Sequence, residues 1–290
     1  MKAAYQFMKE HKGQYGVAKM AKTLGVSRSG YYAWEGRGQS KREKEDISLA
    51  AIVRGIFTEH MGRYGSPRVW EELKWKGWRV GRKRVERLMR EQNLKARQRR
   101  KWVRTTDSGH NLAVSENILN RDFYALQPGE KWASDITYLR TDSGWLYLTV
   151  VLDLWDRKVI GWSMSKKPTA QQVCRALAMA FKNRPAKEGL IFHSDRGIQY
   201  CSEEFRKKLK RQCPLVRQSM SRKGNCWDNA CVESFFKTLK VELDISGEKY
   251  SSSQIQITVF EYIEVYYNRC RRHSALGYAT PLALSKIIAA

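Results

Sequence analysis

Residues 131–165 read KWASDITYLRTDSGWLYLTVVLDLWDRKVIGWSMS. β-Branched and aromatic residues dominate three runs within it, KWASDITYL, GWLYLTVVLDL and RKVIGWSM. The breakers Asp142-Ser143-Gly144 and Asp156 part them, so three adjacent antiparallel strands are expected. Downstream the pattern alternates. TAQQVCRALAMAFK reads as a helix, GLIFHSD as a short buried strand, SEEFRKKLK as a helix and LVRQSM as a further extended piece. A long helix follows from about Asn229 (VESFFKTLKVEL), and another over Ser253 to Asn268. A β-meander followed by alternating helices and strands makes an α/β core on a mixed sheet of five strands.

Upstream of this core the periodicity is helical and the charge is uneven. Residues 1–104 hold 27 Lys and Arg against 10 Asp and Glu, a net +17, whereas residues 105–290 hold 27 against 19, a net +8. A positive field this wide suits a polyanion, and nucleic acid above all, because each neutralised phosphate releases counterions. A membrane is excluded: the longest apolar run, near Trp145 to Trp155, is broken by Asp153 and too short to span. The start MKAAYQFMKEHKG holds no signal-peptide core, so a cytoplasmic, nucleoid-associated protein is expected. Cys174, Cys201, Cys213, Cys226, Cys231 and Cys270 form no CxxC and have no His at zinc-finger spacing. They read as reduced thiols filling gaps in the core.

The basic part divides again. Over Gln14 to Trp34, two short helices around Gly25, with Val17, Met20 and Leu24 at helical spacing and Ser27 as cap, make a helix-turn-helix. After a charged hinge, GQSKREKED, Ser66-Pro67 opens the helix PRVWEELKWKG, which Gly77 ends, and GRKRVERLMREQNL begins another. The expected domains are a helix-turn-helix over 1–45, a second basic helix-turn-helix-like region over 46–104, a linker over 105–128 and an α/β core with a carboxy-terminal helical, basic tail over 129–290. Arg82, Lys83, Arg87 and Arg90 are the candidate DNA contacts of the second region, followed by the cationic run KARQRRK.

Two carboxylates sit where strand-built sites place them. Asp135 lies inside an apolar strand on the face of Thr137, and Asp195 at the exit of the strand Leu190 to His193. A lone buried carboxylate is costly, so these should be paired, protonated or metal-bound, and two of them beside a phosphate channel favour Mg²⁺. Glu233, Lys237 and Lys240, at i, i+4 and i+7, offer one face of the long helix with a carboxylate for a metal and two ammonium groups for a phosphate backbone. Alone, such a Glu–Lys pair is an ordinary surface salt bridge. The preceding loop SMSRKGNCWDNA supports the functional reading: Arg222 and Lys223 are cations, Gly224 admits a close backbone, and Asp228 or Asn229 can cap the helix. His193 either supports the metal site or packs at the strand end. Arg269, Arg271, Arg272 and His273 follow a helix as caps or DNA contacts, with Arg271 and Arg272 the candidates for DNA. Trp227 is either a base-stacking residue or a loop anchor.

The runs WASDITYL, LDLWDRKVIGW, HSDRGIQYCSEEF, SMSRKGNCWDNACVESFFKTLKVE and YYNRCRRHSALGYATP resemble the integrase-type DDE transposases of bacterial insertion sequences, specifically the product of the second reading frame. The likeness spans essentially the whole chain, including YGSPRVWEELKWKGWRVGRKRVERLMRE ahead of the core. It implies an RNase H-like catalytic core and an acidic triad of Asp135, Asp195 and Glu233 holding two Mg²⁺ ions, with Mn²⁺ as a substitute. It also implies cleavage of terminal inverted repeats followed by strand transfer into target DNA, with Lys237 and Lys240 against the donor end. Synapsis of two ends implies a homo-oligomer, and the family commonly fuses this frame to an upstream one. One departure stands out. The family places about 35 residues between its second Asp and the Glu, whereas residues 196–232 number 37, a difference a surface turn within KRQCPLVRQSM can absorb. If the strand were distorted instead, Glu233 would be misplaced and Asp228 would be the only nearby substitute. Two rival readings are a DNA-binding regulator with a decayed core and a non-specific RNase H-like nuclease.

Overall fold

The computed structural model describes every residue except 39, 98–113, 244–249 and 290. Its contacts divide the chain into two units, Met1–Lys95 and Ala96–Ala290. No described helix is long and apolar enough to cross a membrane.

In the first unit α1 (Lys2–His11), α2 (Val17–Thr23) and α3 (Arg28–Glu35) close on a small core of Met8, Met20, Ala21 and Tyr31. Ser27 caps α3 by accepting from the Gly30 N–H, as the sequence suggests. Helix α1 had no counterpart in the sequence reading. α4 (Lys41–Glu59), α5 (Ser66–Trp75) and α6 (Arg82–Glu91) bury Leu49, Val53, Ile56, Val69, Leu73, Val85, Leu88 and Met89. The expected charged hinge and the boundary at 45/46 are corrected here. The Ser40 hydroxyl accepts from the Glu43 N–H while the Glu43 carboxylate accepts from the Ser40 N–H. This reciprocal cap starts α4 at Lys41, so 41–46 are its first turns.

The second unit carries all five strands read from the sequence: β1 (Lys131–Thr141), β2 (Gly144–Asp153), β3 (Val159–Ser165), β4 (Ile191–Ser194) and β5 (Arg217–Met220). Their order is β3-β2-β1-β4-β5. The β1–β2 and β2–β3 pairs are antiparallel, and β4 is parallel to both β1 and β5. This is the RNase H-like sheet. Helices α7 (Ala170–Asn183), α8 (Ile198–Cys201) and α9 (Glu203–Gln212) cover one side, packing Val173, Leu177, Phe205 and Leu209 on Trp132, Val151, Ile160 and Phe192. Cys174, Cys201 and Cys213 are free thiols in the same core. α10 (Ala230–Leu243) runs along β1, and α11 (Ser252–Phe260) continues as a π-helical stretch over Glu261–Tyr267. α12 (Pro281–Ala289) ends the chain.

The described part of the expected 105–128 linker is also corrected. Residues 98–113 lie outside the described residues, but from Glu116 onward the segment is tied to the core at several points. The Glu116 carbonyl accepts from the Met220 N–H, the Leu119 N–H donates to the Ser219 hydroxyl, and Leu119 is buried. Unpaired donors on the outer edge of β5 recruit this segment, because strand-edge N–H groups need partners.

Two polar clusters tie the carboxy-terminal third to the sheet, and a third braces it internally. Arg184 joins the buried carboxylates of Asp153 and Asp156, and Ser285 of α12 donates to Asp156. Both polar atoms of the Asn268 side chain bond the backbone of Val159, extending the ladder at the start of β3. Arg271 is buried and forks onto the Glu242 carboxylate of α10 at 2.8–3.0 Å, where the Tyr262 hydroxyl also donates. Such a pair costs desolvation to bury, but losing one partner costs more, because the other charge is left stranded.

Gly161 of β3 faces α7 so closely that a Cβ there would fall on Ala176 O and on Ala180. The Gly161→Ala protein is expected to lose about 1–3 kcal/mol in urea unfolding, because backbone rather than a flexible side chain must yield. A wild-type midpoint would show that α7 does not rest on that strand as described.

Candidate active site

Strand β1 pairs with β4 only over Lys131–Ala133, yet continues to Thr141. The short β4 therefore leaves a notch. Asp135 stands two residues beyond the last paired position, and Asp195 follows directly on the last residue of β4. Helix α10 adds Glu233 from its first turn. All three remain partly open to solvent. The Asp135 carboxyl is pushed well above the usual carboxylate range, first by burial and then by the negative charges of Asp195 and Glu233. The Ile136 N–H at 2.8 Å and the Lys240 ammonium oppose that rise. Asp195 accepts from the Gly197 N–H at 2.9 Å.

Three mutually repelling carboxylates are a donor set of hard oxygens, which suits a divalent cation such as Mg²⁺ or Mn²⁺ and would be relieved by one. Among the described residues, no three His, Cys, Asp or Glu side chains are drawn in to metal-binding distance. The acids meet here at electrostatic rather than ligating range. The lengthened segment between Asp195 and Glu233 does not disturb this meeting. A turn over 213–216 returns the chain to β5, which stays in continuous register with β4 from Ile191↔Arg217 to Ser194↔Met220.

The loop ahead of α10 is held by a residue given a different part in the sequence reading. Asp228 is fully buried, and its carboxylate accepts from the backbone and guanidinium of Arg222 at 2.8–2.9 Å and from Arg121 at 2.9 Å. Those bonds hold its pKa far below the usual value, so it is a structural anion and neither helix cap nor substitute catalyst. Asn229 donates to the Ser134 carbonyl, pinning the start of α10 to the neighbour of Asp135. Arg157 reaches the Cys231 thiol from the β2–β3 turn. Sequence reasoning missed Arg121, Arg157 and the Asn229 tether, since none carries a spacing signal. His193 is buried between the Ser219 and Ser221 hydroxyls, with its pKa lowered to about 4 chiefly by burial, so it is a neutral packing group in the sheet.

The cations sort into two kinds. Lys237 stands 3.7 Å from Glu233, and Lys240 lies 4.8 Å over the Tyr138 ring. Burial lowers the Lys240 pKa to about 8 against the opposing pull of Asp135. Lys223, Arg82, Lys83 and Arg90 are exposed, as is Trp227. Arg222 is engaged by Asp228, and Arg87 by Asp46 and Glu91. Arg271 and Arg272 are corrected: both are buried, Arg271 on Glu242 and Arg272 on the Tyr278 carbonyl, so neither faces DNA.

Family models place an HTH-like domain over residues 43–102 and an integrase core domain over 125–226 and again over 215–281. Among curated proteins, the chain is 48% identical over 280 residues to transposase InsF for insertion sequence IS3A of Escherichia coli K12, covering 96% of each. It is 42% identical over 265 residues to an uncharacterized 31 kDa protein of insertion element IS600 from Shigella sonnei, covering 91% of this chain and 96% of that one. Among solved structures, the magnesium complex of the HTLV-2 integrase catalytic core aligns with a TM-score of 0.42 and 17% identity over 55% of this chain and 97% of that one. A simian T-cell lymphotropic virus intasome aligns at 0.42 and 15%, over 74% and 69%.

Asp135→Asn keeps the side-chain shape and removes one of three repelling charges. In EDTA at pH 7 the variant is expected to exceed the wild type by about 0.5–2 kcal/mol in urea unfolding. The raised Asp135 pKa means that the folded state holds the proton to higher pH than the unfolded chain does. The wild-type penalty therefore grows as pH rises above 3.8, and the gap to the variant closes as pH falls toward that value. Equal stabilities at pH 7 would mean that neither burial nor the neighbouring acids penalise the Asp135 charge.

Proposed function

We propose, for a chain that belongs to the integrase-type transposases of bacterial insertion sequences, that Asp135, Asp195 and Glu233 are the acids of its strand-breaking and strand-joining centre. The chain is a DNA transposase, a polynucleotidyl transferase in reaction class. The observation that carries the assignment is the meeting of a strand carboxylate, a strand-exit carboxylate and a helix carboxylate in the notch beyond β4. Divalent ions held by these three, two Mg²⁺ or in their place Mn²⁺, would supply Lewis acidity for the nucleophile and charge neutralisation for the leaving 3′ oxygen.

The residues themselves orient the reacting strand. Lys237 and Lys240 share the helix face of Glu233 and set phosphates against the acids, and Lys223 extends that cationic rim. With water as nucleophile, one P–O bond forms and the bond to the 3′ oxygen breaks, freeing the element's end. With that 3′-OH as nucleophile, the same exchange joins the end to target DNA. In the basic helical unit, Arg82, Lys83 and Arg90 contact the terminal inverted repeats, the role for which α5 and α6 pair as a helix-turn-helix. Two copies meet when two ends are synapsed, and fusion to an upstream reading-frame product supplies further DNA contacts. The protein acts in the cytoplasm on the nucleoid.

A decayed regulator is disfavoured by the presence of three acids in one notch and by 48% identity to a transposase across 96% of the chain. The deciding assay is cleavage and joining of a labelled end-repeat duplex with Mg²⁺. Asp135→Asn, Asp195→Asn and Glu233→Gln are each expected to lower product by about a thousandfold or more while retaining binding. Products undiminished in any of the three would remove that residue from the centre, and equal cutting of random duplex would turn the reading toward a non-specific nuclease.

A further inference from the structure

The loop that leads into α10 is held by several of its own side chains and displays one. After Arg222 the chain turns, with the Asn225 N–H on the Arg222 carbonyl, and then makes a single 3-10 turn over Cys226–Asn229 that runs directly into α10. The Asn225 side chain starts that turn by accepting from the Trp227 N–H at 3.2 Å. Asp228 is fully buried in the grip of Arg222 and Arg121, and Asn229 donates to the carbonyl of Ser134, the neighbour of Asp135, at 3.0 Å. With about three residues to a 3-10 turn, two that point inward leave the third pointing out. That third residue is Trp227, which keeps 69% of its surface open. Among the described residues, neither a ring nor a cation covers its indole.

This exposure decides between the two roles open to Trp227. A loop anchor would be buried, and here Asp228 and Asn229 do the anchoring. An indole kept in water on a fixed support is instead a ready stacking face: every base has a π-face to offer, and a side chain on a rigid turn loses little freedom on binding. The surroundings suit DNA. Lys223 is exposed in the same loop, and Glu233 stands six residues further along the helical path, about 10 Å at 1.5–2.0 Å per residue.

We propose that Trp227 stacks on one unpaired base of the DNA held at the acid centre and so keeps the reacting strand open beside the cut. The inference rests on the acid trio acting on DNA. Within a duplex both faces of a base are covered by its neighbours, so the indole gains its partner only where a base leaves the stack, and stacking there offsets part of the cost of unpairing. At about 3.4 Å per base step, the separation from Glu233 places that base within roughly three steps of the reacting phosphate.

The test is a cycle of full-chain binding to an end-repeat duplex in EDTA, crossing Trp227→Ala with single abasic sites placed in turn at the roughly three positions on either side of the cut in each strand. Trp227→Ala is expected to weaken binding to the intact duplex roughly ten- to hundredfold, one abasic position to weaken wild-type binding by a like factor, and the two together to lose no more than either alone. Trp227→Phe keeps most of the affinity. The slope of log K against log salt stays at its wild-type value because no charge changes, and so does the urea midpoint because the side chain is exposed. Losses that multiply at every abasic position would overturn the proposal, as would wild-type binding by the Trp227→Ala protein. A lowered urea midpoint would overturn it by making Trp227 an anchor, and a change confined to self-association by making it a contact between copies. If Asp135→Asn still abolishes cleavage after such a failure, the acid-centre reading stands without the stacked base; if Asp135→Asn cuts normally, that reading fails first.

Discussion

Like charges brought together are the constraint around which the core is built. Asp135, Asp195 and Glu233 raise one another's energy in a partly desolvated notch, and the fold must hold them there against that repulsion. Two of the three are fixed by the sheet, since β1 and β4 are parallel neighbours and cannot part without losing their ladder. The third rides on a helix, and α10 is accordingly restrained at both ends. Asp228 with its two arginines and Asn229 on Ser134 hold its start, and Glu242 with Arg271 and Tyr262 holds its last turn. None of these restraining groups belongs to the trio, yet without them the repulsion would be relieved by movement of the helix rather than by binding a cation.

The sheet was legible because its cues are local. The period of two over 131–165, the breakers at 142–144 and the short apolar run before Asp195 each report on their own backbone, and all five strands stand where those cues place them. The acids were legible for a related reason: a carboxylate inside an apolar run, or at its end, is costly enough to need an explanation. That the three belong together came from the order of whole motifs, a resemblance, and not from any one spacing.

What the sequence obscured depends on partners far along the chain. Arg271 and Arg272 read as part of a cationic cluster behind a helix, and nothing local says that Glu242, 29 residues earlier, turns the first of them inward. Asp228 offered a carboxylate near the long helix, but Arg222, six residues before it, neutralises it first, and Arg121, 107 residues away, completes the cluster. The supposed hinge before α4 failed for the opposite reason. Its high charge suggests a hinge, but the Ser40–Glu43 reciprocal cap, an equally local signal, starts a helix there.

The buried fork between Arg271 and Glu242 also bears on how a mobile element loses function. A frame that stops before codon 271 still encodes every acid of the centre, yet makes a chain in which Glu242 is buried without its cation, a defect of about 3–5 kcal/mol. That is a large share of what holds a domain folded. Truncation at the 3′ end can therefore silence a copy whose codons for the three acids we assign to the centre are all intact, and a census of functional copies that counts those acids alone would include the dead.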